Sequence, residues 1–421
     1  MTVLIKQATI IDSTSPFNGQ TKDIFIADGI IDSIGDSINK KADKIIEQKG
    51  LHISIGWMDI FSQFCDPGFE YRETLETGAN AAAAGGFTDV IVLANTNPTI
   101  HTKSQVEYII QKSLALPVSI HPAGAVTKNT EGKELAEMYD MRTSGAIAFS
   151  DGNNSIQSPR ILLKALQYTL AFDGVIIQQP DDKSINSQGL INEGIISTQL
   201  GLPGKPAIAE ELMIARDIEL VKYTNSKIHF TGVSTKKSIE LISKAKANGL
   251  QISCSVTPYH LNFCDEDLVT YDTNLKVNPP LRTKTDMLFL REALEQGMID
   301  CIASHHIPQN WDAKTCEFEY AKNGMIGLET LFGAIGTVNK KTSTKDLIDI
   351  LSINPRKIFG LEIPTIKEGS KAKLTLFNPA TKFIFEESMI RSKSKNSAFI
   401  GKPLKGKVIG IVNEKSIYLN Q

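Results

Sequence analysis

The 421-residue chain is poor in the residues that bind transition metals, with seven histidines and five cysteines. No H-x-H, H-x-x-E-H or C-x-x-C pair occurs anywhere in it, so the usual closely spaced metal-ligand pairs are lacking. The five cysteines are odd in number and widely spaced, which argues against a disulfide framework. We therefore expect a reducing, cytoplasmic location.

The chain also lacks an excess of charge and a long apolar run. Its formal net charge of -2 gives no field that would attract phosphate backbones or anionic membranes, and we expect no nucleic-acid partner. No apolar run reaches the roughly 20 residues of a membrane span, so no membrane partner is expected either. The composition, 41% hydrophobic and 22% charged, is typical of a globular enzyme.

The pattern of apolar residues divides the chain into three parts. Residues 2–52 alternate apolar with polar positions between turn residues, which predicts a meander of short strands. Short β-branched runs followed by helical periodicity then repeat to about Gly360, and the tail from about Glu368 returns to alternation. The eight candidate barrel strands begin near Ile53, Asp89, Pro117, Gly145, Gly174, Lys227, Leu250 and Met298.

Eight βα units predict a closed α/β barrel rather than an open sheet. We therefore predict a (β/α)8 TIM-type barrel over residues 53–362, with a small β-sandwich domain built from residues 1–52 and 363–421. In such a barrel the chemistry lies on loops at the carboxyl ends of the strands. The residues at those ends are the ones to inspect for function.

Several motifs at the predicted strand ends carry a family resemblance. They include GWMDIFSQFCDPGFEYRETLETG, GGFTDVIVLANTNP, AIAFSDG, VTPYHL, NLKVNPPLR and MIDCIASHHIP, and they run in order through nearly the whole chain. This sequence resembles dihydroorotase, a cyclic amidohydrolase of the amidohydrolase superfamily. The resemblance implies a zinc site that activates water for hydrolysis of a cyclic amide in pyrimidine biosynthesis.

The first two metal ligands implied by the resemblance are an H-x-H pair on strand one, followed by a substrate-binding arginine. Those three positions hold Phe61, Gln63 and Cys65. Residues two apart on a strand point to one face, which is why two imidazoles there can chelate one ion. Phenylalanine has no donor atom, and glutamine is a weak neutral ligand that does not replace imidazole on zinc.

The remaining implied ligands follow strands four, five, six and eight. Asp151 matches the aspartate after strand four and is the one ligand retained, although a Ser-Asp-Gly-Asn turn also explains it. The histidines after strands five and six are replaced by Gln178 and Gly232. His305 stands where the family has an aspartate that both binds metal and shuttles the proton.

Some positions on the substrate side persist. Asn95, Asn278 and Gly324 match family positions that contact dihydroorotate, although asparagine in N-T-N-P and N-P-P is also ordinary turn chemistry. Gln309 replaces a substrate-contacting histidine, and Asn323 replaces the usual phenylalanine. The loss of the arginine at position 65 counts more strongly against substrate binding than the retained positions count in its favour, because Cys65 cannot pair bidentately with a substrate carboxylate.

The sequence leaves three hypotheses open. The first is a catalytically silent dihydroorotase-like protein without cofactor, a structural or regulatory subunit expected to form a homo-oligomer; by resemblance, aspartate transcarbamoylase is its candidate partner. The second is an active hydrolase with a rebuilt zinc centre, using Asp151 and Cys65 as ligands and His305 as ligand or base. The third is a small-molecule binding protein that uses Asn95 and Asn278.

Overall fold

A computed structural model describes residues 1–420 and contains two large sheets. The strands are β1 (Thr2–Ile11), β2 (Thr21–Ala27), β3 (Ile30–Gly35), β4 (Lys44–Glu47), β5 (His52–Ile55), β6 (Trp57–Ser62), β7 (Phe87–Val92), β8 (Ser119–Gly124), β9 (Ala148–Phe149), β10 (Val175–Gln178), β11 (Ile191–Asn192), β12 (Gly204–Lys205), β13 (Lys227–Phe230), β14 (Ile252–Val256), β15 (Cys301–Ile302), β16 (Lys373–Ile384), β17 (Pro403–Asn413) and β18 (Ser416–Leu419). The α-helices are α1 (Leu75–Ala84), α2 (Lys103–Ser113), α3 (Met138–Thr143), α4 (Pro159–Thr169), α5 (Ile195–Leu200), α6 (Ile208–Thr224), α7 (Lys236–Ala247), α8 (Pro258–Asn262), α9 (Lys284–Glu295), α10 (Leu331–Val338) and α11 (Thr344–Ile358).

One sheet is the predicted barrel. Its eight parallel strands follow the order β6, β7, β8, β9, β10, β13, β14 and β15, with helices between them. The first and last strands meet just beyond β15, where Ser62 forms a parallel bridge with His306 and the Gln63 backbone N–H donates to the His306 carbonyl at 2.9 Å. The predicted α/β barrel with a β-rich second unit is confirmed, whereas the sandwich form expected of that unit stays a prediction.

The predicted start of the first barrel strand near Ile53 is wrong. Ile53 lies in β5, which pairs with β1 and β16 of the other sheet, and the first barrel strand begins at Trp57. Gly56 separates the two strands at a close approach to β7, because a Cβ there would lie 2.1 Å from Thr88 Oγ1. The other predicted starts lie within three residues of the observed ones.

The second sheet is built from both ends of the described chain. Its strands follow the order β18, β17, β16, β5, β1, β2 and β3, and β4 adds to β1. One edge of β1 is shared, since its first half pairs with β4 and its second half with β5. All these strands belong to one hydrogen-bonded sheet, and the domain limits at residues 52 and 362 stay predictions.

A buried ion pair anchors helix α11 to the amino-terminal end of the barrel. Arg356 donates to Asp89 at 2.6 Å and to the Gly56 carbonyl at 2.6 Å, and both side chains are almost fully buried. Burial alone would raise the pKa of Asp89, but Arg356 and the hydrogen bond from His121 hold it well below its ordinary value. Lys373 of β16 adds a contact at 3.3 Å, so this carboxylate also joins the barrel to the second sheet.

No helix within residues 1–420 is both long enough and apolar enough to cross a membrane.

Candidate functional site

The predicted ligand positions gather at the carboxyl end of the barrel. Phe61 lies near the end of β6 and Gln178 ends β10, while Asp151, Gly232 and His305 follow β9, β13 and β15. Each of these side chains, where there is one, is at most 2% exposed. The positions therefore surround a packed interior rather than a solvent-filled cleft.

An aromatic stack joins two of these positions. The Phe61 ring lies 4.2 Å from the His305 imidazole, centroid to centroid, with 25° between the planes. Tyr259 approaches the same imidazole edge-on at 6.5 Å. The first implied zinc ligand and the implied proton shuttle are thus replaced by two rings that pack against each other.

His305 ends a chain of hydrogen bonds that runs across the barrel interior. Its Nε2 lies 2.8 Å from Thr231 Oγ1, which accepts from Ser255 Oγ at 2.9 Å, and Ser255 bonds to His229 Nε2 at 3.0 Å. The other ring nitrogen of His305, Nδ1, is buried and has no hydrogen-bond partner among residues 1–420. Burial, with His260 and His229 nearby, lowers the pKa of His305 well below its ordinary value, so the ring is neutral at pH 7.

The glycine at the strand-six position is required by His305. Gly232 has φ +67°, and a Cβ built on it would lie 2.6 Å from His305 Cε1 and 3.3 Å from Pro279 Cδ. Any L-residue would meet both the left-handed backbone conformation and the imidazole. An imidazole ligand therefore cannot return at 232 while His305 holds its place.

Asp151 bonds to the loop that follows β8. Its Oδ1 accepts the backbone N–H groups of Val126 and Thr127, both at 2.9 Å, and its Oδ2 accepts the Thr127 hydroxyl. Burial raises the pKa of Asp151 to about 6, against the opposing effect of the Thr127 hydrogen bonds. This carboxylate ties two neighbouring loops together, as expected of a structural turn residue.

The other replaced positions are also bonded to protein groups. Gln63 Oε1 accepts from Arg72 Nη2 at 3.3 Å, and Gln178 Nε2 donates to Asp217 Oδ2 at 3.2 Å. Cys65 has φ +59°, and burial raises the pKa of its thiol to about 12, which keeps it protonated. No thiolate is therefore available at position 65.

The three substrate-side positions contact neighbouring protein groups. Asn95 Nδ2 donates to the Asp151 carbonyl at 3.0 Å, and Asn278 Oδ1 accepts from Lys205 Nζ at 2.9 Å. Lys205 also forms an ion pair with Asp181 at 2.7 Å. Gly324 has φ +134° and leaves no room for a Cβ, which would lie 2.6 Å from Ile307 Cγ2.

Two charged partners in this region were not among the predicted site residues, although Glu73 lies within the motif GWMDIFSQFCDPGFEYRETLETG. Lys205 is one, since its contact with Asn278 joins distant segments. Glu73 is the other: His306 Nε2 bonds to it at 3.4 Å, and His306 Nδ1 accepts from the Gly327 backbone N–H at 3.3 Å. His306 thus faces a different set of groups from His305, whose φ of +44° takes the segment out of the extended conformation.

The donor set does not fit a zinc ion. Within residues 1–420 no three His, Cys, Asp or Glu side chains gather in a group that could hold a metal. Asp151, His305 and Cys65, the members of the rebuilt centre considered from sequence, therefore form no such group. Catalytic zinc needs three protein ligands and one open position, so these residues support no catalytic step through a metal.

Comparisons with known proteins agree on one family. A model described as dihydro-orotase-like matches residues 52–238. A protein of Syntrophus aciditrophicus named dihydroorotase is 36% identical over 97% of both chains, and one of Caldicellulosiruptor saccharolyticus with the same name is 40% identical over 96% of this chain and 95% of its own.

Solved structures support the fold. The L-hydantoinase (dihydropyrimidinase) of Arthrobacter aurescens superposes with a TM-score of 0.85 at 22% identity, covering 99% of this chain and 96% of that one. The dihydropyrimidinase of Brevibacillus agri gives 0.81 at 18% identity, covering 100% and 95%. At these identities the likeness concerns the barrel and the β-rich unit alone.

Proposed function

Because this chain belongs to the dihydroorotase family, we propose that it is a catalytically inactive member that acts as a structural or regulatory subunit. The stack of Phe61 on His305 carries the proposal. It places two buried rings at positions where the family resemblance implies a metal ligand and the proton-transferring aspartate. Function depends on the site and not on the fold, so membership of the family leaves the activity open.

The residues at the strand ends are poorly suited to hydrolysis. Opening a cyclic amide at neutral pH needs an activated water and a polarised carbonyl. His305 is fully buried, stacked on Phe61 and bonded to Thr231 through Nε2, so the position of the implied proton shuttle is packed against protein groups. The oxygens of Asp151 accept from backbone N–H groups and a hydroxyl of one neighbouring loop, which supports a structural role for it.

A second function, an active dihydroorotase, is favoured by two observations. Relatives that match over nearly the whole chain carry that name, and Asp151 is retained at the implied ligand position. Metal analysis and turnover of dihydroorotate by the purified protein separate the two proposals. We expect zinc well below one equivalent per chain and no turnover above a blank, whereas stoichiometric zinc with turnover overturns inactivity.

A matched pair of variants sharpens this test. If residual turnover is seen, Asp151→Asn must abolish it while Asp36→Asn, which changes an aspartate whose side chain is 88% exposed, must not. Turnover that survives Asp151→Asn comes from a contaminating enzyme. If no turnover is seen, Asp151→Asn should change only stability, because its hydrogen bonds join two loops.

The partner is also a proposal. Dihydroorotase-like chains assemble with aspartate transcarbamoylase in some bacteria, and the resemblance suggests the same partner here. We propose that this chain binds aspartate transcarbamoylase and also associates with copies of itself. Light scattering coupled to gel filtration, alone and with the aspartate transcarbamoylase of the same organism, tests both. A monomer whose elution is unchanged by the enzyme at concentrations of tens of micromolar contradicts the subunit role and leaves the lack of catalysis to be judged separately.

A further inference from the structure

A cavity, called the outer cavity below, lies among the outer loops at the carboxyl end of the barrel. It has a volume of about 560 Å³ and is bounded by the loops after β6, β14 and β15 and by the segment between β16 and β17. Most of its lining residues have polar side chains, and the lining includes Tyr71, Asn274, Asn310, Trp311, Lys314 and Lys393. Gln309 is the one relic substrate position in its wall.

The lining holds a buried cation without an anion. Lys314 is 8% exposed, and its Nζ donates to the carbonyls of Thr273 at 2.8 Å and Lys276 at 3.4 Å. No carboxylate of residues 1–420 forms an ion pair with it. Burying an ammonium without a counter-charge is strongly unfavourable in general, so buried charges in proteins are nearly always paired.

A second buried lysine, Lys276, lies next to Lys314. Lys276 is 3% exposed, and its Nζ donates only to the carbonyls of Phe318 and Glu319, at 2.7 and 2.8 Å. Burial, together with this neighbouring cation, lowers the pKa of Lys314 to about 7. Neither lysine forms an ion pair with a carboxylate of residues 1–420, and a negatively charged group in the cavity would favour the charged form of Lys314.

The rim adds charge of the same sign. Lys393 and Lys395 are exposed lining residues whose Nζ atoms are held by backbone carbonyls, Lys393 by Glu70 at 2.6 Å and Lys395 by Ile390 at 2.8 Å. Glu387 is the one acidic residue in the lining. Cations fixed by carbonyl groups lose little further entropy when a ligand binds, which favours binding.

The cavity near Asp89 at the opposite end of the barrel provides a contrast. There, too, basic side chains line the wall, among them Arg356 and Lys373. Asp89 bonds to both of them, at 2.6 and 3.3 Å. Both of those cations are paired with a carboxylate, whereas Lys314 is not.

We propose that the outer cavity binds a small polyvalent anion, bearing phosphate or carboxylate groups, through Lys314 with Lys393 and Lys395. The ligand would approach Lys314 from the open side and accept its remaining N–H. Phosphate and carboxylate share this chemistry, since each offers charged oxygens to ammonium groups. The proposal goes beyond the proposed function and stands whether or not the chain hydrolyses a substrate.

Isothermal titration of the full chain with pyrophosphate and, separately, with citrate tests this proposal at constant ionic strength. We expect saturable binding with a dissociation constant below about 1 mM for at least one probe. Lys314→Met keeps the length of the side chain without its charge, and it should weaken binding about tenfold or more. Lys133→Met, which changes a lysine whose side chain is 80% exposed, is the control and should leave affinity unchanged.

A double variant, Lys393→Gln with Lys395→Gln, covers the case in which Lys314→Met does not fold. Both side chains are exposed, so the fold should persist while affinity falls severalfold. Preference for pyrophosphate over citrate identifies phosphoryl groups as the ligand chemistry, and the reverse identifies carboxylates. The proposal is overturned if neither probe gives saturable heat at ligand concentrations up to about 10 mM. It is also overturned if Lys314→Met binds the probes as tightly as the wild type.

Discussion

The Phe61 ring stacks on the His305 imidazole at 4.2 Å with 25° between the planes, so residues from the first and last strand ends of the barrel pack against each other. Both are fully buried. Stacked aromatic pairs add about 0.5–1.5 kcal/mol beyond their burial. Residues that would hold an ion in a working member of the family thus stabilise the barrel interior of this one.

Phe61→Ala should destabilise the protein by about 3–5 kcal/mol, because it removes a buried ring and leaves a cavity. Urea unfolding followed by circular dichroism measures this change. Tyr223→Ala, which removes a ring that is 76% exposed, is the control and should cost less than about 1 kcal/mol. Equal small effects from both variants would show that the Phe61 pocket is not packed as described.

Gly232→Ala should be destabilising, and part of its cost should disappear in the background of His305→Ala. The new methyl group would lie 2.6 Å from the imidazole, and removing the ring relieves this clash but not the φ of +67°. We expect a coupling of about 1–2 kcal/mol between the two sites in a double-mutant cycle, with a residual cost of about 1 kcal/mol from the backbone. Strict additivity would contradict the contact.

Arg356→Met should destabilise the fold by about 3–5 kcal/mol, because it leaves the Asp89 carboxylate buried without its closest cation. Asp89→Asn in the same chain should recover part of this loss by removing the uncompensated charge. Chemical unfolding of the wild type, both single variants and the double variant measures the coupling. A double variant as unstable as the sum of the singles would argue against the ion pair.

Acid should destabilise the protein from about pH 6.5 downward through its buried histidines. Burial lowers the pKa of His260 and of His229 to about 3, from an ordinary value of 6.5. The unfolded chain therefore binds protons first, and stability falls by up to about 1.4 kcal/mol per pH unit for each histidine between pH 6.5 and 3.

His260→Gln isolates one of these contributions. Its free energy of unfolding should depend less steeply on pH than that of the wild type over that window. The comparison between the two proteins is needed because Asp151 and Asp217, whose pKa values burial raises to about 6, act in the opposite direction as they protonate. Parallel pH profiles would show that His260 titrates normally.

The periodicity of the sequence predicted most of the fold. The alternation of β-branched runs with helical segments predicted eight barrel strands, and seven of the predicted starts lie within three residues of the observed ones. The predicted start of the first barrel strand was wrong because β5 and β6 are apolar strands separated only by Gly56. Periodicity does not tell which sheet a strand joins; pairing between distant segments decides it.

The site was only partly predictable for the same reason. The replaced ligand positions follow from motif spacing, and all of them lie near the carboxyl ends of barrel strands. The stack of Phe61 on His305, the bond from Thr231 to His305 and the unpaired charge of Lys314 each depend on residues brought together by the barrel. No local pattern encodes such contacts.

The shared edge of β1 has a consequence for the order of assembly. Strand β5 holds its place between β1 and β16, yet β16 is separated from it by the whole barrel. On the ribosome, strand β5 keeps one edge open until residues 56–372 and then β16 have emerged. An open strand edge is a template for pairing with other chains, so nascent copies are exposed to aggregation throughout synthesis of the barrel.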